Sequence, residues 1–437
     1  MSGRLAAGAI SVCLLLESNC AKYQPRALNP VQSEADLRAR TAPSKLDAAT
    51  VTAAALQYSG DLAVARAKVA EAEAAVITAG QRVNPSVSAE GGYNRTPESV
   101  AAYAFAPTFT IETAGKRGYR ILAAQKSAEA ARIAMRETEW QVRSRVRAAL
   151  VGYCFAQRRA ESLRAEQTVR AEITAIFEKR VALGEASNPD LNAARAEEAA
   201  LRANLRSAEG EVGQSLTAIA TATGLPASAF EGRAIDLAFY ETPPSPDTLA
   251  LAQVQKAGLL HRADILRTLT EYEAADARLR LALANQYPNI TLSPTYTFQE
   301  GFPAYTLGSA LESLPVFHRQ RGPIAEAEAA RREVEARFTA LQAQALGETQ
   351  AALFQYEAAV KEWIGVRDEL EPAQTKREAA TTASFRAGES DRLDVAQSRL
   401  ATIAAARTRI EAAARAQTAL GLLEDAVQSP LGSETTN

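Results

Sequence analysis

Residues 84–117 read NPSVSAEGGYNRTPESVAAYAFAPTFTIETAGKR. Helix-period sequence lies on both sides of this stretch. Inside it, apolar and small polar residues alternate, which is the two-residue period of a strand. Gly91-Gly92 weakens regular pairing in the first strand, and Pro97 stands in a polar loop between the two. The same plan returns at residues 287–322. Two hairpins, each set between very long helices, do not make an independently stable sheet. Something has to close them.

The bulk numbers exclude several classes of function. The chain has 437 residues, with Lys plus Arg at 49, Asp plus Glu at 51 and a formal net charge of -2. That balance gives no electrostatic reason to expect nucleic acid as a partner. Two His, two Met and three Cys are too few for a protein-borne transition-metal cluster. His261 and His318 are far apart, and Cys13, Cys20 and Cys154 make no disulfide framework. There is no phosphate loop, zinc spacing or nucleophile motif. The expectation is a protein that is not an enzyme and carries no cofactor.

Arg4, an apolar run at residues 5–16 and Cys20 follow the plan of a secretory signal peptide over residues 1–19. The run is too short to cross a bilayer as a helix. Cys20 stands where a bacterial lipoprotein cysteine is acylated, although Glu17 departs from the small and apolar residues usual before such a cysteine. A soluble export signal is the other reading. No later stretch reaches the length of a transmembrane helix, so any membrane span has to be built from strands.

Residues 20–46, with Pro25, Pro30 and Pro43 and no periodicity, read as an extended arm. A first repeat spans residues 47–223. It holds one helix over residues 48–82, with Leu56, Leu62, Val69, Val76 and Ile77 on its stripe. A strand hairpin follows at about 84–114, then a helical hairpin at about 118–223. Residues 118–183 contain no proline and imply roughly 100 Å of helix, with a seam at Val142, Val146, Ala149 and Tyr153. Residues 224–246, rich in Gly and Pro, read as a linker. A second repeat spans 247–427, with a strand hairpin at about 287–314 and a helical hairpin at about 323–427. Pro372 is expected to kink that hairpin. Residues 428–437 read as a disordered tail.

The repeat is explicit. Asp61, Leu62, Pro85, Val87 and Tyr93 return 203 residues later as Asp264, Ile265, Pro288, Ile290 and Tyr296. Gly184, Glu185, Asp190 and Arg195 return 204 residues later as Gly388, Glu389, Asp394 and Arg399. The two halves therefore share one internal two-fold design. Each supplies two strands of about ten residues, the length of a tilted bilayer crossing. Four strands do not close a membrane barrel, which needs at least eight, so several copies must share one. The fold class expected is mainly α with a small transmembrane β portion. Three chains of four strands would form a twelve-stranded β-barrel, continued by a long α-helical coiled-coil barrel.

At the residue level the chain resembles the TolC family of outer-membrane efflux proteins, over nearly all its length after residue 20. The likeness rests on Cys20-Ala-Lys-Tyr-Gln-Pro, the repeated strand–helix junctions and the glycine-bearing helix turns. The junction Phe109-Thr-Ile-Glu-Thr-Ala-Gly-Lys-Arg117, with its partner Leu314-Pro-Val-Phe-His-Arg-Gln-Arg-Gly322, is similar to the heavy-metal (CzcC-like) RND efflux branch. The resemblance implies a homotrimer with its barrel in the bacterial outer-membrane lipid and a helical tunnel in the periplasm. It further implies docking on a periplasmic adaptor, a membrane fusion protein, and on an inner-membrane RND-type pump that exports metal ions or drugs.

The resemblance also assigns residues. Gly115, Lys116 and Arg117, with Arg319 and Gly322 in the second half, form the strand–helix junctions. Glycine allows a sharp turn there, and the two cations of the first junction are expected near the lipid headgroups. Gly184, Glu185, Gly388 and Glu389 at the helix tips are the expected adaptor-docking points, though as turn formers they need no partner. Some family members narrow the periplasmic entrance with aspartate rings. Asp394 aligns with one such position, and Gln397 stands at the second. Asp190 is the equivalent of Asp394 in the first half. Six carboxylates in a trimer would make a cation-attracting gate, whereas as first-turn carboxylates they would only stabilise helix N-termini. A type I secretion channel, or a coiled-coil scaffold outside the membrane, are the alternative functions. The scaffold leaves the export signal and the paired hairpins unexplained.

Overall fold

The computed structural model describes residues 23–94, 100–246, 260–299 and 301–431, together with Val254, Lys256 and Gly258. Cys20 and the expected signal peptide lie outside the described residues. The chain divides into two units, Met1–Thr41 and Ala42–Asn437.

In the first unit, α1 (Pro30–Arg38) replaces part of the expected extended arm. Asn29 caps it, its side-chain oxygen accepting from the backbone N–H of Val31 and Gln32 at 3.1 and 3.2 Å. Pro30 occupies the first turn, where its missing N–H costs nothing. All side chains of α1 are exposed, so local capping rather than an apolar stripe defines the helix.

The second unit begins with α2 (Ala48–Tyr58) and α3 (Gly60–Gly80). The single helix expected over residues 48–82 is thus broken. Ser59 leaves helical geometry and caps α3 by accepting from the Leu62 N–H. The second repeat breaks at Arg262, 203 residues on, where the chain is again extended before α6 (Ala263–Ala284). Between these lie β1 (Ser86–Asn94), β2 (Val100–Ile111), α4 (Lys116–Ala182) and α5 (Asn188–Thr223). After α6 come β3 (Asn289–Gln299), β4 (Phe302–Glu312), α7 (Arg321–Gly365), α8 (Glu371–Ala387) and α9 (Arg392–Val427). The order helix, strand, strand, long helix, return helix occurs twice.

A π-helical turn, Val366–Leu370, joins α7 to α8. Pro372 follows it in the first turn of α8. Proline lacks an N–H and its ring crowds the carbonyl four residues earlier. Widening one turn to a five-residue bond, as from the Glu371 N–H to the Val366 carbonyl, relieves that conflict, and such a bulge beside a proline is an ordinary site for a helix to bend.

The helices pack in two successive layers that share α4 and α7. Next to the strands the order is α3-α4-α6-α7. Farther away it is α5-α4-α9, closed by α7 and α8. At the waist between the layers lies the main core. Val142, Val146 and Leu150 of α4 are fully buried there with Tyr356 of α7 and Leu423 of α9. The stretch read as a linker belongs to this core: Phe230, Leu237 and Tyr240 are buried in it beside α2. The expected α4 seam is present, with Tyr153 buried and Ala149 packed against the core. Of the α3 stripe, Leu62 is buried but Ile77 is exposed. Beyond the waist, Val169 and Ile173 of α4 pack with Ala194 of α5 and Ala396 of α9. Arg407, which falls on the α9 seam, is neutralised by Glu166 at 2.5 Å.

Candidate channel wall, junctions and tips

The four strands form one antiparallel sheet in the order β1-β2-β3-β4. Its register sorts the side chains by chemistry. Phe105 of β2 faces Ala89 on one side and Tyr296 on the other. Tyr296 in turn faces Tyr305 of β4. Directly opposed residues share a face, so one face carries Val87, Tyr103, Phe105, Pro107, Phe109, Ile111, Ile290, Leu292, Pro294, Tyr296, Phe298, Tyr305, Leu307 and Leu311. Its aromatic end is ordered by Tyr103 stacking on Phe298 at 4.9 Å and by Tyr296 lying 5.1 Å from Tyr305, measured between ring centroids. The other face carries Ser86, Ser88, Glu90, Ala104, Thr108, Thr110, Thr291, Ser293, Thr295, Thr297, Thr306 and Glu312, with Thr108 and Ser293 hydrogen-bonded at 3.0 Å. The sheet therefore has one mainly apolar side, with Ser309 among its residues, and one mainly polar side, with Phe302 at its end. Among the described residues nothing covers the apolar side: Phe105, Tyr305 and Leu307 are 50%, 81% and 72% exposed. Strands β1 and β4 each leave one edge unpaired within the chain.

At the first junction Ala114 and Gly115 take positive φ, 54° and 73°. At the second junction the equivalent pair is Arg319 and Gln320, with φ of 43° and 57°. Gly322 lies within α7, so it does not supply the expected turn. Two side chains that ordinarily disfavour this region do at one junction what Ala and Gly do at the other. Lys116 also departs from expectation. Its side chain is buried, and Nζ donates to the Tyr287 carbonyl and to Asn289 Oδ1, both at 2.6 Å. Burial lowers its pKa, against the opposing pull of Glu112 and Glu312. Arg117 Nε donates to the Gly80 carbonyl at 2.8 Å. Arg120 pairs with Glu112 at 2.6 Å and donates to the Ala79 and Gln81 carbonyls. Arg117 and Arg120 close the C-terminus of α3, and Lys116 ties the two repeats together; burial takes Lys116 out of the headgroup contact expected of it, while Arg117 stays exposed.

The tips are matched turns. Gly184 and Gly388 have φ of 75° and 82°. The Gly184 and Glu185 N–H groups donate to the Val181 and Arg180 carbonyls at 3.0 and 2.8 Å. Those of Gly388 and Glu389 donate to Phe385 and Ser384 at 3.1 and 2.9 Å. Both are the left-handed helix stop that glycine serves best. Asp190 and Asp394 are exposed, and each sits three residues into its return helix. Asp190 accepts from the Ser187 hydroxyl and N–H, which lowers its pKa. Asp394 accepts from the Asp391 N–H at 3.1 Å. Both are thus capping-box carboxylates, while Gln397 is exposed on α9.

Sequence reasoning missed the charged ties between the two hairpins. Arg180 pairs with Asp391 at 2.6 Å and Arg392 with Glu172 at 2.9 Å. The signal available was the density of opposite charges on α4 and α9. Cys154 is buried, and burial pushes its thiol pKa up to about 11, which makes it inert packing. Among the described residues no group of three or more His, Cys, Asp or Glu could hold a metal ion, and no helix is long and apolar enough to cross a membrane.

Residues 51–225, covering nearly all of the first repeat, match the family model described as outer membrane efflux protein. Over that stretch the chain is similar to the outer membrane efflux family. Solved structures share the fold over most of its length. The outer membrane protein VceC of Vibrio cholerae is 21% identical with a TM-score of 0.71, over 88% of this chain and 97% of that one. The CmeC outer membrane channel of Campylobacter jejuni is 15% identical with a TM-score of 0.71, over 95% and 96%. The open state of the MtrE outer membrane channel of Neisseria gonorrhoeae is 15% identical with a TM-score of 0.69, over 89% and 91%. A search of curated proteins finds no match. The likeness in fold to these solved structures thus extends through both repeats, including the second, which lies beyond the family match.

Proposed function

We propose that this protein is an outer membrane efflux protein acting as a passive export duct: three copies close one twelve-stranded barrel in the outer membrane and one helical tunnel in the periplasm. The observation that carries the reading is the sheet, apolar on one side, polar on the other and unpaired at both edges. Lipid would cover the apolar face and water the polar face once neighbouring copies pair β4 with β1. The helix layers need the same neighbours, because among the described residues their outermost helices have no helix packed beyond them.

In this reading acylated Cys20 anchors the chain. The turns at Gly184-Glu185 and Gly388-Glu389 meet a periplasmic adaptor, and Asp190 and Asp394 line the periplasmic entrance. An RND-type inner-membrane pump supplies the energy. The likeness of the first junction to the heavy-metal branch favours metal ions or drugs as cargo. The duct itself has no catalytic step to perform. Purified protein inserted into planar lipid bilayers should give large, stepwise conductance and migrate as heat-modifiable trimers. A monomer that stays in solution without detergent and gives no conductance would overturn the reading in favour of a scaffold.

A further inference from the structure

A cavity of about 290 Å3 opens between α4 and α9 at the waist. Ser144 and Ala148 of α4 fall, at helical spacing, on the side opposite Val142, Val146 and Leu150. Thr418, Leu422 and Asp425 likewise stand opposite Ala416, Leu420 and Leu423 on α9. The cavity therefore opens on the side away from those residues, bordered by Val151 and Phe155 at the edge of the waist core. Ala148, Val151, Phe155 and Leu422 give it apolar walls, with Arg147 and Thr418 as polar lining beside them. Leu422 is 46% exposed.

One end of the cavity is anionic. Asp425 Oδ1 accepts from Trp140 Nε1 at 2.9 Å and Oδ2 accepts from Ser144 Oγ at 2.6 Å. Both donors are neutral, and Asp425 makes no ion pair among the described residues. The nearby Arg147 does not serve it. That guanidinium is held by Glu424 at 2.9 Å and by the Gln417 carbonyl at 2.9 Å. It also lies over Gly421, where an added Cβ would come within 2.5 Å of Nη1. The carboxylate is thus fixed in place by hydrogen bonds while its charge is left uncompensated, beside an apolar hollow at the small end of ligand-pocket size.

We propose that this cavity binds a hydrophobic organic monocation, with an ammonium-type head on Asp425 and an apolar body against Val151, Phe155 and Leu422. A metal ion is disfavoured because only one carboxylate is present, with two neutral hydroxyls, Ser144 and Thr418, as the other side-chain oxygens in the lining. An anion would meet Asp425, with Arg147 already engaged. On the duct reading the cavity lies on the inner wall and holds such cargo in passing; binding itself does not require that reading.

The test uses the full chain in nanodiscs of zwitterionic lipid. Trp140 fluorescence, in a Trp363→Phe background, and equilibrium dialysis report binding of 4-phenylbutylammonium. The Trp363 indole N–H has no partner, so that background loses no hydrogen bond. The neutral 4-phenylbutanol should bind about tenfold more weakly than the cation, and 4-phenylbutyrate more weakly still. Asp425→Asn should reduce the cation's affinity about tenfold and leave the alcohol's unchanged. Gly152→Leu should abolish both, since a side chain there meets nothing within 4 Å and grows into the cavity. Equal binding of cation and anion, or unchanged cation affinity in Asp425→Asn or Gly152→Leu, overturns the proposal. If Asp425→Asn does not assemble, Gly152→Leu decides. Planar-bilayer conductance separates the two readings: conductance without cation binding sinks the cavity alone, and cation binding without conductance sinks the duct alone.

Discussion

Replacing Phe105 by arginine tests the sheet's two-sided chemistry most directly. Phe105 is six residues above Ile111, at the lower end of β2, which puts it ~15 Å up a strand tilted about 40°. That is near the middle of an apolar band about 25 Å tall. Its directly opposed neighbours are Ala89 and Tyr296, so the charge meets no carboxylate, only a methyl and a phenol ring. An arginine at the midplane of a barrel's lipid face costs about 2–4 kcal/mol per chain. If three chains share the barrel, the cost per assembly is about 6–12 kcal/mol. Ala104 is the internal control. One residue away, it faces Glu90 and Thr297 on the polar side, where an arginine should cost close to nothing. Urea unfolding from lipid vesicles, with heat-modifiability on gels as a second readout, gives the comparison. Equal loss in Phe105→Arg and Ala104→Arg, or a greater loss in Ala104→Arg, would refute the assignment of faces.

Other outcomes follow from the junctions and tips. Lys116→Met removes two buried hydrogen bonds between the repeats and should cost about 1–3 kcal/mol, read as a lower Tm. Gly184→Leu and Gly388→Leu force a branched side chain into positive φ at about 1–2 kcal/mol each. They should abolish export while trimers persist, and unchanged export in cells counts against adaptor docking. The hydrogen bond from Arg180 holds the Asp391 carboxyl below the usual aspartate range. A depressed carboxylate contributes stability above its unfolded value of about 3.9 and loses it as pH falls through the folded value. Amide protection at the α9 start should therefore exceed that of Asp391→Asn at pH 7, and the difference should vanish below that range. Asp394→Ala should weaken cation preference in bilayers; an unchanged reversal potential would remove it from the entrance.

The sequence carried the large-scale design because periodicity and repetition are collective signals. The long proline-free run before Gly184 became α4, and the 203-residue offset matched Asp61 with Asp264 on the two helices that follow the breaks. Local chemistry was harder to read. The break at Ser59 rests on one serine before a glycine, and α1 rests on one asparagine before a proline. Neither is visible in apolar spacing. Phe230, Leu237 and Tyr240 sit in a proline-rich stretch, so they read as linker although their side chains fill the waist. Lys116 was legible as a junction cation but not as a buried one, because its partners, Tyr287 and Asn289, lie in the other repeat. At the tips, glycine predicted the turn and the acids predicted a gate. The capping boxes that occupy Asp190 and Asp394 follow from Ser187 and Asp391, three residues earlier in each case.

The two long arms of the chain are not mechanically alike. The first, α4, runs 67 residues without interruption from strand to tip. The second is jointed at Val366–Leu370, with a proline just beyond. A torque applied at one end of the unbroken rod reaches the other end undiminished. The same torque on its counterpart can be absorbed at the wide turn. On the duct reading, flexing that changes the bore would be taken up at the wide turn of the second arm, with the unbroken first arm as the post against which it swings.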